Sequence, residues 1–552
     1  MNPAPPITAA IISYSSALLD VPGATIVSSP ALHGSASQMR SPPSGNSVAQ
    51  NNKFAFIGLG VLIAYALARS LFAAASRPLW CDEIATLLMA RMHTISAIWN
   101  ALARGVDGQP PPFDFIEHAA GALAPPAEIA FRLPSIFAFA CVLLCVFIFV
   151  RRRSDGVIAL VCAAILLLTG AFDYYAIEAR PYSMLVACIA FALVCYQRSD
   201  ETRWVILMGL SLVAAESMHY YAVFAFVPFG IAEIALSLKT HRLRAGVWLA
   251  MGCGLLPLAI FWPLLLDLKR NYGRNYWARP TLRRVGGFYG WLFHSGSFYV
   301  NFSLAALVVF LLFGALLLLA LPKTRKAWMA NPFFQEQVLI VGLLGLPFVT
   351  YVVIKVVHGG MDYRYVLPAV LAIPLGAGFL LPRFNRTTVA VAAIGMFCVF
   401  AVKETRFWGS QRGHLGHVVS PAAPIEHLVE VAGRPDLPVA FTDQMDYPKV
   451  EYYADPGWAE RFVYIADPPG ALAHIGTDNF DEWVLVVGSI YPFPVYEFHA
   501  FVHDHPAFLL YSNGGYPDWW PGRLRDDGYS LQVLAADKVG TVYLVTRPGV
   551  SP

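Results

Sequence analysis

Charge is the first thing this chain lacks. Only 14% of its 552 residues are Asp, Glu, Lys or Arg, against 57% hydrophobic, whereas a soluble protein carries about 25% charge. The shortfall, combined with repeated long apolar runs, excludes a soluble globular enzyme and indicates a multi-span membrane protein. A net charge of +3 adds little, because the distribution of Lys and Arg over the loops sets orientation. A disulfide framework is also missing. Of eight cysteines, Cys141, Cys145, Cys162, Cys188, Cys195, Cys253 and Cys398 fall inside apolar runs, where Cys behaves as a small hydrophobe. Cys81 has no evident partner, and the spacings suggest no metal site. There is no phosphate-binding Gly-rich loop, nucleotide fingerprint or internal repeat. Residues 1–50 are rich in Ser, Pro, Ala and Gly and nearly uncharged, which predicts a disordered leader. Ile7 to Leu19 is too polar, and lacks the basic flank, for a cleaved signal peptide.

What is present is a series of apolar runs at 54–75, 129–150, 157–172, 182–196, 203–217, 219–238, 246–266, 301–321, 336–356, 364–381 and 387–402, predicting about eleven spans. Alternate connections are short and basic: Arg151-Arg152-Arg153, Arg198 to Arg203, Lys239 to Arg244, Lys323 to Lys326 and Arg383 to Arg386. The positive-inside rule puts these in the cytoplasm, along with the N-terminus. The unusual polar residues then fall on the opposite, outer side: Asp82, Glu83, Asp107, Asp173, Glu178, Arg180, Glu216, His219, Asp362 and Arg364. One extracytoplasmic site follows. Ionisable groups held at a membrane boundary are costly to desolvate, and so mark function by default.

The basic loop 267–300 runs against the charge rule. Lys269, Arg270, Arg274, Arg279, Arg283 and Arg284 are interleaved with Tyr272, Tyr276, Trp277 and Tyr289. Two readings stay open: an interfacial segment on acidic headgroups, or a cradle for a phosphate ester, whose oxygens match the guanidinium fork. From 403 to 552 charge, Pro and Gly rise. Leu437–Phe441, Trp483–Val487 and Val542–Val545 predict short buried strands, and Pro448 to Tyr453 a helix. A small extracytoplasmic α/β domain is expected. His499, His503 and His505 lack a closed ligand set and are taken as surface residues.

Three motifs recur in order on the outer side. Trp80-Cys81-Asp82-Glu83 opens the first outer loop, 76–128, and Gln109-Pro110-Pro111-Pro112-Phe113 lies later in it. Tyr174-Tyr175-Ala176-Ile177-Glu178-Ala179-Arg180-Pro181-Tyr182 forms the second outer turn. Glu178 and Arg180, two apart, would not face one another on a helix. Glu216, His219 and Tyr220 are spaced to share a helical face. Together these motifs resemble the GT-C glycosyltransferases that use polyprenyl-phosphate sugars, nearest the bacterial protein-mannosyltransferase and aminoarabinose-transferase group (families 39 and 83). The resemblance covers residues 54–402. Gln109 stands where many relatives have His, and Phe113-Asp114-Phe115 replaces a run of Tyr and Leu.

The resemblance implies an α-helical polytopic protein of GT-C architecture, with residues 51–402 as the transferase module in a bacterial cytoplasmic (inner) membrane and a periplasmic C-terminal domain. It implies inverting transfer of a sugar from a polyprenyl-phosphate donor to a hydroxyl acceptor on a glycan, lipid (such as lipopolysaccharide) or protein. Membrane lipids are further partners, and nucleic acid is not. Asp82 matches the family's first acid and would be the base, supported by Glu83, with Asp107 the second acid. Lys269, Arg270, Arg274, Arg279 and Arg364 would meet the donor phosphate. Glu178, Arg180, Tyr182, His219, Tyr220 and Asp362 would shape the cavity. The carboxylates would suit a divalent cation, Mg²⁺ or Mn²⁺, through oxygen, but no ligand set is complete and no metal is assigned. The alternative is a transporter or flippase for a lipid-linked or anionic solute. Such proteins place their sites near the midplane within repeats, and here the charge sits at the outer boundary.

Overall fold

The apolar runs fold as helices because every backbone polar group in lipid must be satisfied within its own segment. The computed structural model describes residues 45–549 apart from 124–125, 273–274, 293–313, 315–323, 325, 327–329, 412–415 and 516–517. The leader up to residue 44, Arg274 and all but Gly314 of the predicted span 301–321 therefore lie outside the described residues. Lys53–Ser76, Ala127–Arg151, Ala222–Thr240, Tyr363–Arg383 and Arg386–Ser410 are long and apolar enough to cross a membrane.

Three predicted spans are bent rather than straight. Gly156–Leu168 meets Gly170–Ile177 at 61°, Ala245–Ile260 meets Trp262–Tyr272 at 55°, and Phe334–Leu344 meets Leu346–Val357 at 55°. The first break falls at Thr169, whose backbone is extended at φ −93°, ψ 154°. The others fall beside Pro263 and Pro347, which cannot donate to the preceding turn and clash with its carbonyl. With each bent pair taken as one span, the described residues hold up to eight candidates. Tyr182–Tyr196 and Thr202–Met218 are shorter helices between them.

The first loop folds into three short helices. Cys81–Ala90 starts at Trp80, Ile95–Ala103 is capped by the Thr94 hydroxyl accepting from the Ala97 N–H at 3.1 Å, and Pro112–Gly121 opens on a proline, whose missing N–H costs nothing there.

The C-terminal segment forms a six-stranded sheet. Its strands are β1 (Val439–Phe441), β2 (Phe462–Ala466), β3 (Val495–Glu497), β4 (Ala507–Ser512), β5 (Ser530–Ala536) and β6 (Thr541–Thr546), in the order β3-β2-β1-β4-β6-β5. The first four run parallel, with Val439 opposite both Phe462 and Leu509, while β6 pairs antiparallel with β4 and β5. Alternate strand residues feed two cores. Val439, Phe441 and Tyr464 pack with Ile425, Leu428 and Val484 on one face; Ala440, Val463 and Ile465 pack with Phe501, Trp520 and Leu524 on the other. Helices on both faces explain why the central parallel strands β1 and β2 are apolar and buried throughout.

One predicted strand is a helix. Trp483–Val487 lies within Asn479–Gly488, with Asp481 and Glu482 in its first turn. A short apolar run does not distinguish strand from helix by itself, and the acids at the positive helix end settle it here.

Ala49–Pro552 packs as one unit, and the α/β domain sits directly on the first loop. Trp483 Nε1 donates to the Val106 carbonyl at 2.9 Å. Val487 packs against Met89, Val106 and Leu264. The Tyr453 hydroxyl accepts from the Leu79 N–H at 2.9 Å and donates to Glu128 Oε1 at 2.7 Å. Tyr453→Phe strands both partners. It is expected to lower the unfolding free energy by about 1–3 kcal/mol, read as a reduced thermal midpoint of the purified protein in detergent.

Candidate active site

Asp82 and Glu83 are neighbours on a helix, so their side chains diverge by about 100°. Glu83 turns inward. Its Oε2 accepts from the Trp80 N–H at 3.1 Å, closing the helix start, and the carboxylate forms a fork with Arg132 at 2.8 and 2.6 Å. Arg132 spends its other N–H groups on the carbonyls of Ala74, Arg77 and Pro78 at 3.0, 2.6 and 2.9 Å. The Ala179 N–H adds a bond to Glu83 Oε1 at 2.8 Å. The two side chains are 1% and 0% exposed. Burial alone would raise the Glu83 carboxyl, but the Arg132 charge and hydrogen bonds, with the Ala179 amide, hold it below its ordinary value. A carboxylate with this many partners has no oxygen to spare for a substrate. Glu83 anchors the loop that carries Asp82.

Asp82 turns outward. Its Oδ2 meets Arg364 Nη1 at 2.5 Å, with the side chains 24% and 16% exposed. Arg364 lies over the rings of Tyr182 and Tyr365 at 5.9 and 5.7 Å. Beside this pair, Arg180 grips Asp107 with both terminal nitrogens, at 2.5 and 2.8 Å, and reaches Thr86 Oγ1 at 3.0 Å. Arg180 therefore pairs with Asp107, and Glu178 points elsewhere. Its Oε2 is buried without a partner, as are Arg180 Nε and Arg364 Nε. Buried polar atoms are nearly always satisfied, so three orphans around Asp82 mark a place where a ligand's polar atoms would bond. Burial pushes the Glu178 carboxyl up to about 8, with the Glu83 charge adding to it.

His219 closes the wall. Its helix ends at Met218 and His219 is extended at φ −159°, ψ 131°, so His219 and Tyr220 do not share a face as the spacing predicts. The His219 ring packs on Tyr182 and Tyr365 at 5.6 and 5.4 Å, and burial with the nearby Arg180 and Arg364 charges lowers it to about 3. Tyr220 is buried toward Glu216 and Asp114, its hydroxyl unpartnered.

The basic loop is spread out rather than gathered. Asp362 meets Arg284 at 3.5 Å, a cation given no individual role in the sequence reading. Arg270 is 75% exposed on Asp267, an arrangement worth at most about 1 kcal/mol. Lys269 is exposed, and Arg279 donates to the Gly476 carbonyl at 2.9 Å. None of these three bonds to Asp82; among the described cations Arg364 is the one that pairs with its carboxylate.

Sequence reasoning passed over Arg132, Thr86 and two buried acids, Asp114 and Glu117, whose i, i+3 spacing after Pro112 was the available signal. Both are fully buried, and burial raises both well above the ordinary carboxyl range. Both Glu117 oxygens lack partners. Among the described residues no group of three or more His, Cys, Asp or Glu is arranged to hold a metal ion.

The membrane helices and the C-terminal α/β domain together form a fold that is shared with solved membrane proteins. In particular, the chain has the fold of ArnT from Cupriavidus metallidurans. It superposes on the apo state with a TM-score of 0.52 over 89% of this chain and 98% of that one, at 14% identity. On the state bound to undecaprenyl phosphate the TM-score is 0.51 over 90% and 99%, again at 14% identity. No protein-family model and no curated protein sequence matches the chain.

Glu83→Gln leaves Arg132 buried and unpaired, and is expected to cost about 3–5 kcal/mol of stability; Asp82→Asn, at the partly open pair, should cost far less. Thermal unfolding of the two variants side by side checks this. Glu178 is protonated in the folded state between its unfolded value of 4.5 and about 8. There the native state binds more protons, so its share of stability falls as pH rises, by up to about 1.4 kcal/mol per pH unit. The thermal midpoint of Glu178→Gln should decline less steeply than wild type from pH 5 to 8.

Proposed function

We propose that this chain is an inverting membrane glycosyltransferase that moves a sugar from a polyprenyl-phosphate donor to a hydroxyl acceptor on a glycolipid, polysaccharide or protein. The reaction would run on the periplasmic face of a bacterial inner membrane, with the N-terminus cytoplasmic. The observation that carries the reading is the partly open Asp82–Arg364 pair, ringed by buried orphan atoms of Arg180, Arg364 and Glu178. The fold supports it, since a neighbour of that fold was solved bound to undecaprenyl phosphate.

Arg364 pairs with Asp82 Oδ2. A donor phosphate competes for the guanidinium, whose fork suits two phosphate oxygens. That exchange frees the Asp82 carboxylate for the acceptor hydroxyl. The acceptor oxygen attacks the anomeric carbon and its proton passes to Asp82. The bond from the anomeric carbon to the phosphate oxygen breaks with its electron pair on the phosphate, leaving a polyprenyl monophosphate. A placed base contributes about 10²–10⁴-fold, and a fixed cation facing the developing charge often contributes more. Asp107 holds Arg180 beside Arg364, so the second acid acts by positioning. Tyr182 and His219 form the apolar wall, and a neutral His219 adds no competing charge. Lys269, Arg270 and Arg279 serve as outer cations that draw anionic headgroups to the rim.

Asp82→Asn is expected to reduce transfer from a panel of polyprenyl-phosphate sugars at least 100-fold while donor binding persists. Arg364→Lys, which keeps the charge but loses the fork, should weaken donor binding about tenfold. Wild-type protein that binds these donors but never cleaves one would refute the assignment and leave a carrier of lipid-linked sugars.

A further inference from the structure

The transfer steps make no use of the α/β domain, yet that domain grips the chain just before Asp107. The first-loop helix Ile95–Ala103 ends in a left-handed turn at Gly105, where φ is +89°. The Gly105 N–H donates to the Leu102 carbonyl at 2.9 Å and the Val106 N–H to the Ala101 carbonyl at 3.1 Å, the crossed bonds that a glycine permits at a helix end. These satisfy carbonyls inside the helix. The carbonyls of Ala103, Gly105 and Val106 are left over, and a run bounded by Gly105 and Gly108 has little stiffness of its own.

All three carbonyls are taken by side chains from other elements. Asn271 Nδ2, on the helix Trp262–Tyr272, donates to Ala103 at 3.1 Å, and the Tyr272 hydroxyl donates to Gly105. Trp483 Nε1, on the α/β-domain helix Asn479–Gly488, donates to Val106 at 2.9 Å. The clasp fits closely. A methyl group on Gly105 would stand 2.9 Å from the Tyr272 ring and hydroxyl and 3.0 Å from Asn271 Nδ2. Ser489, just past the end of the Trp483 helix, accepts from Arg104, and Val487 packs with Val106 and Leu264. A buried carbonyl without a donor is unfavourable, so residues 103–106 take their position from these donors.

Asp107 comes next in the chain. Its carboxylate takes the Gly108 N–H at 2.6 Å and the Arg180 fork at 2.5 and 2.8 Å. Arg180 in turn reaches the Thr86 hydroxyl at 3.0 Å and the Asp82 carbonyl at 3.4 Å, so the fork bears on the backbone that carries the proposed base. From these contacts we infer that Trp483 is a positioning residue for the transfer site. Its N–H, with Asn271 and Tyr272, fixes the run 105–108, and with it Asp107, Arg180 and the setting of Asp82. The α/β domain is then a working part of the site. The kinetic consequence rests on the transferase reading; the clasp itself does not.

Trp483→Phe keeps an aromatic ring in the apolar contact and removes the donor. Hydrogen exchange of the full chain in lipid nanodiscs, with no sugar donor present, reads the clasp. The amides of residues 105–108 are expected to exchange about tenfold faster in Trp483→Phe, while those of β1 and β4 exchange as in wild type, which separates a local opening from general unfolding. Asn271→Ala, which removes a donor to the same run from a different helix, should act in the same direction and serves if Trp483→Phe does not fold. In transfer from a polyprenyl-phosphate sugar, Trp483→Phe is expected to lower kcat about tenfold with the donor KM within about twofold. It should add nothing to Asp107→Asn, because the two act through one fork, whereas a residue that only supported the fold would add its full effect. The inference falls if exchange at 105–108 is unchanged, if exchange quickens but kcat does not change, or if Trp483→Phe acts undiminished on Asp107→Asn. Wild-type protein that transfers no sugar refutes the transferase reading instead, and the clasp is then judged on exchange alone.

Discussion

The guanidinium of Arg132 is the constraint on which the candidate site depends. Placing a charge in a dry interior costs several kcal/mol unless every hydrogen-bonding group finds a partner, and Arg132 finds them all: Glu83 and the carbonyls of Ala74, Arg77 and Pro78. Those partners come from the end of the first span and the start of the first-loop helix, while Arg132 itself leads into the next span. Through Glu83 the knot also takes in the Ala179 amide. It fixes Asp82 indirectly, since a helix whose first turn is clamped at one carboxylate has no freedom left at the next.

The remaining charges divide according to how open they are. Asp107 and Arg180 are buried and doubly bonded, a rigid strut. Asp82 and Arg364 share one contact and keep some exposure to solvent, so they can exchange partners at modest cost. Glu178, lacking a cation of its own, takes up a proton instead. A cavity with one rigid pair, one exchangeable pair and one neutral acid can admit an anionic group without creating an unpaired buried charge.

Much of this was legible in the sequence. The Asp82-Glu83 pair, the Glu178 to Tyr182 turn and Arg364 stand out because charge at a membrane boundary needs a reason, and the alternation of basic loops put them at one end. What sequence could not assign was the direction each acid faces. The partner of Glu83 is 49 residues away and that of Asp82 is 282 away, and no local spacing encodes such meetings. In the basic loop Arg270 and Arg279 find local or domain partners, which a pattern of charge density does not encode. The helix at Trp483 misled because four or five apolar residues suit either periodicity. Asp114 and Glu117 were hidden by an ordinary helical spacing in a loop expected to be irregular.

The last helix long and apolar enough to cross the membrane, Arg386–Ser410, behaves as a mechanical part. Only 11% of its apolar window is covered by protein, and its buried residues are Lys403 and Glu404, which meet Asp173, Arg69 and Tyr65. Such a helix is a mast stepped at one point: lipid steadies its length, while two adjacent charges near its far end set its rotation. Its outward face can change among apolar residues with little effect on the bundle. A shift of one residue in the Lys403-Glu404 pair would turn the whole helix by about 100°, and with it the direction in which the chain sets out toward the domain above Asp82.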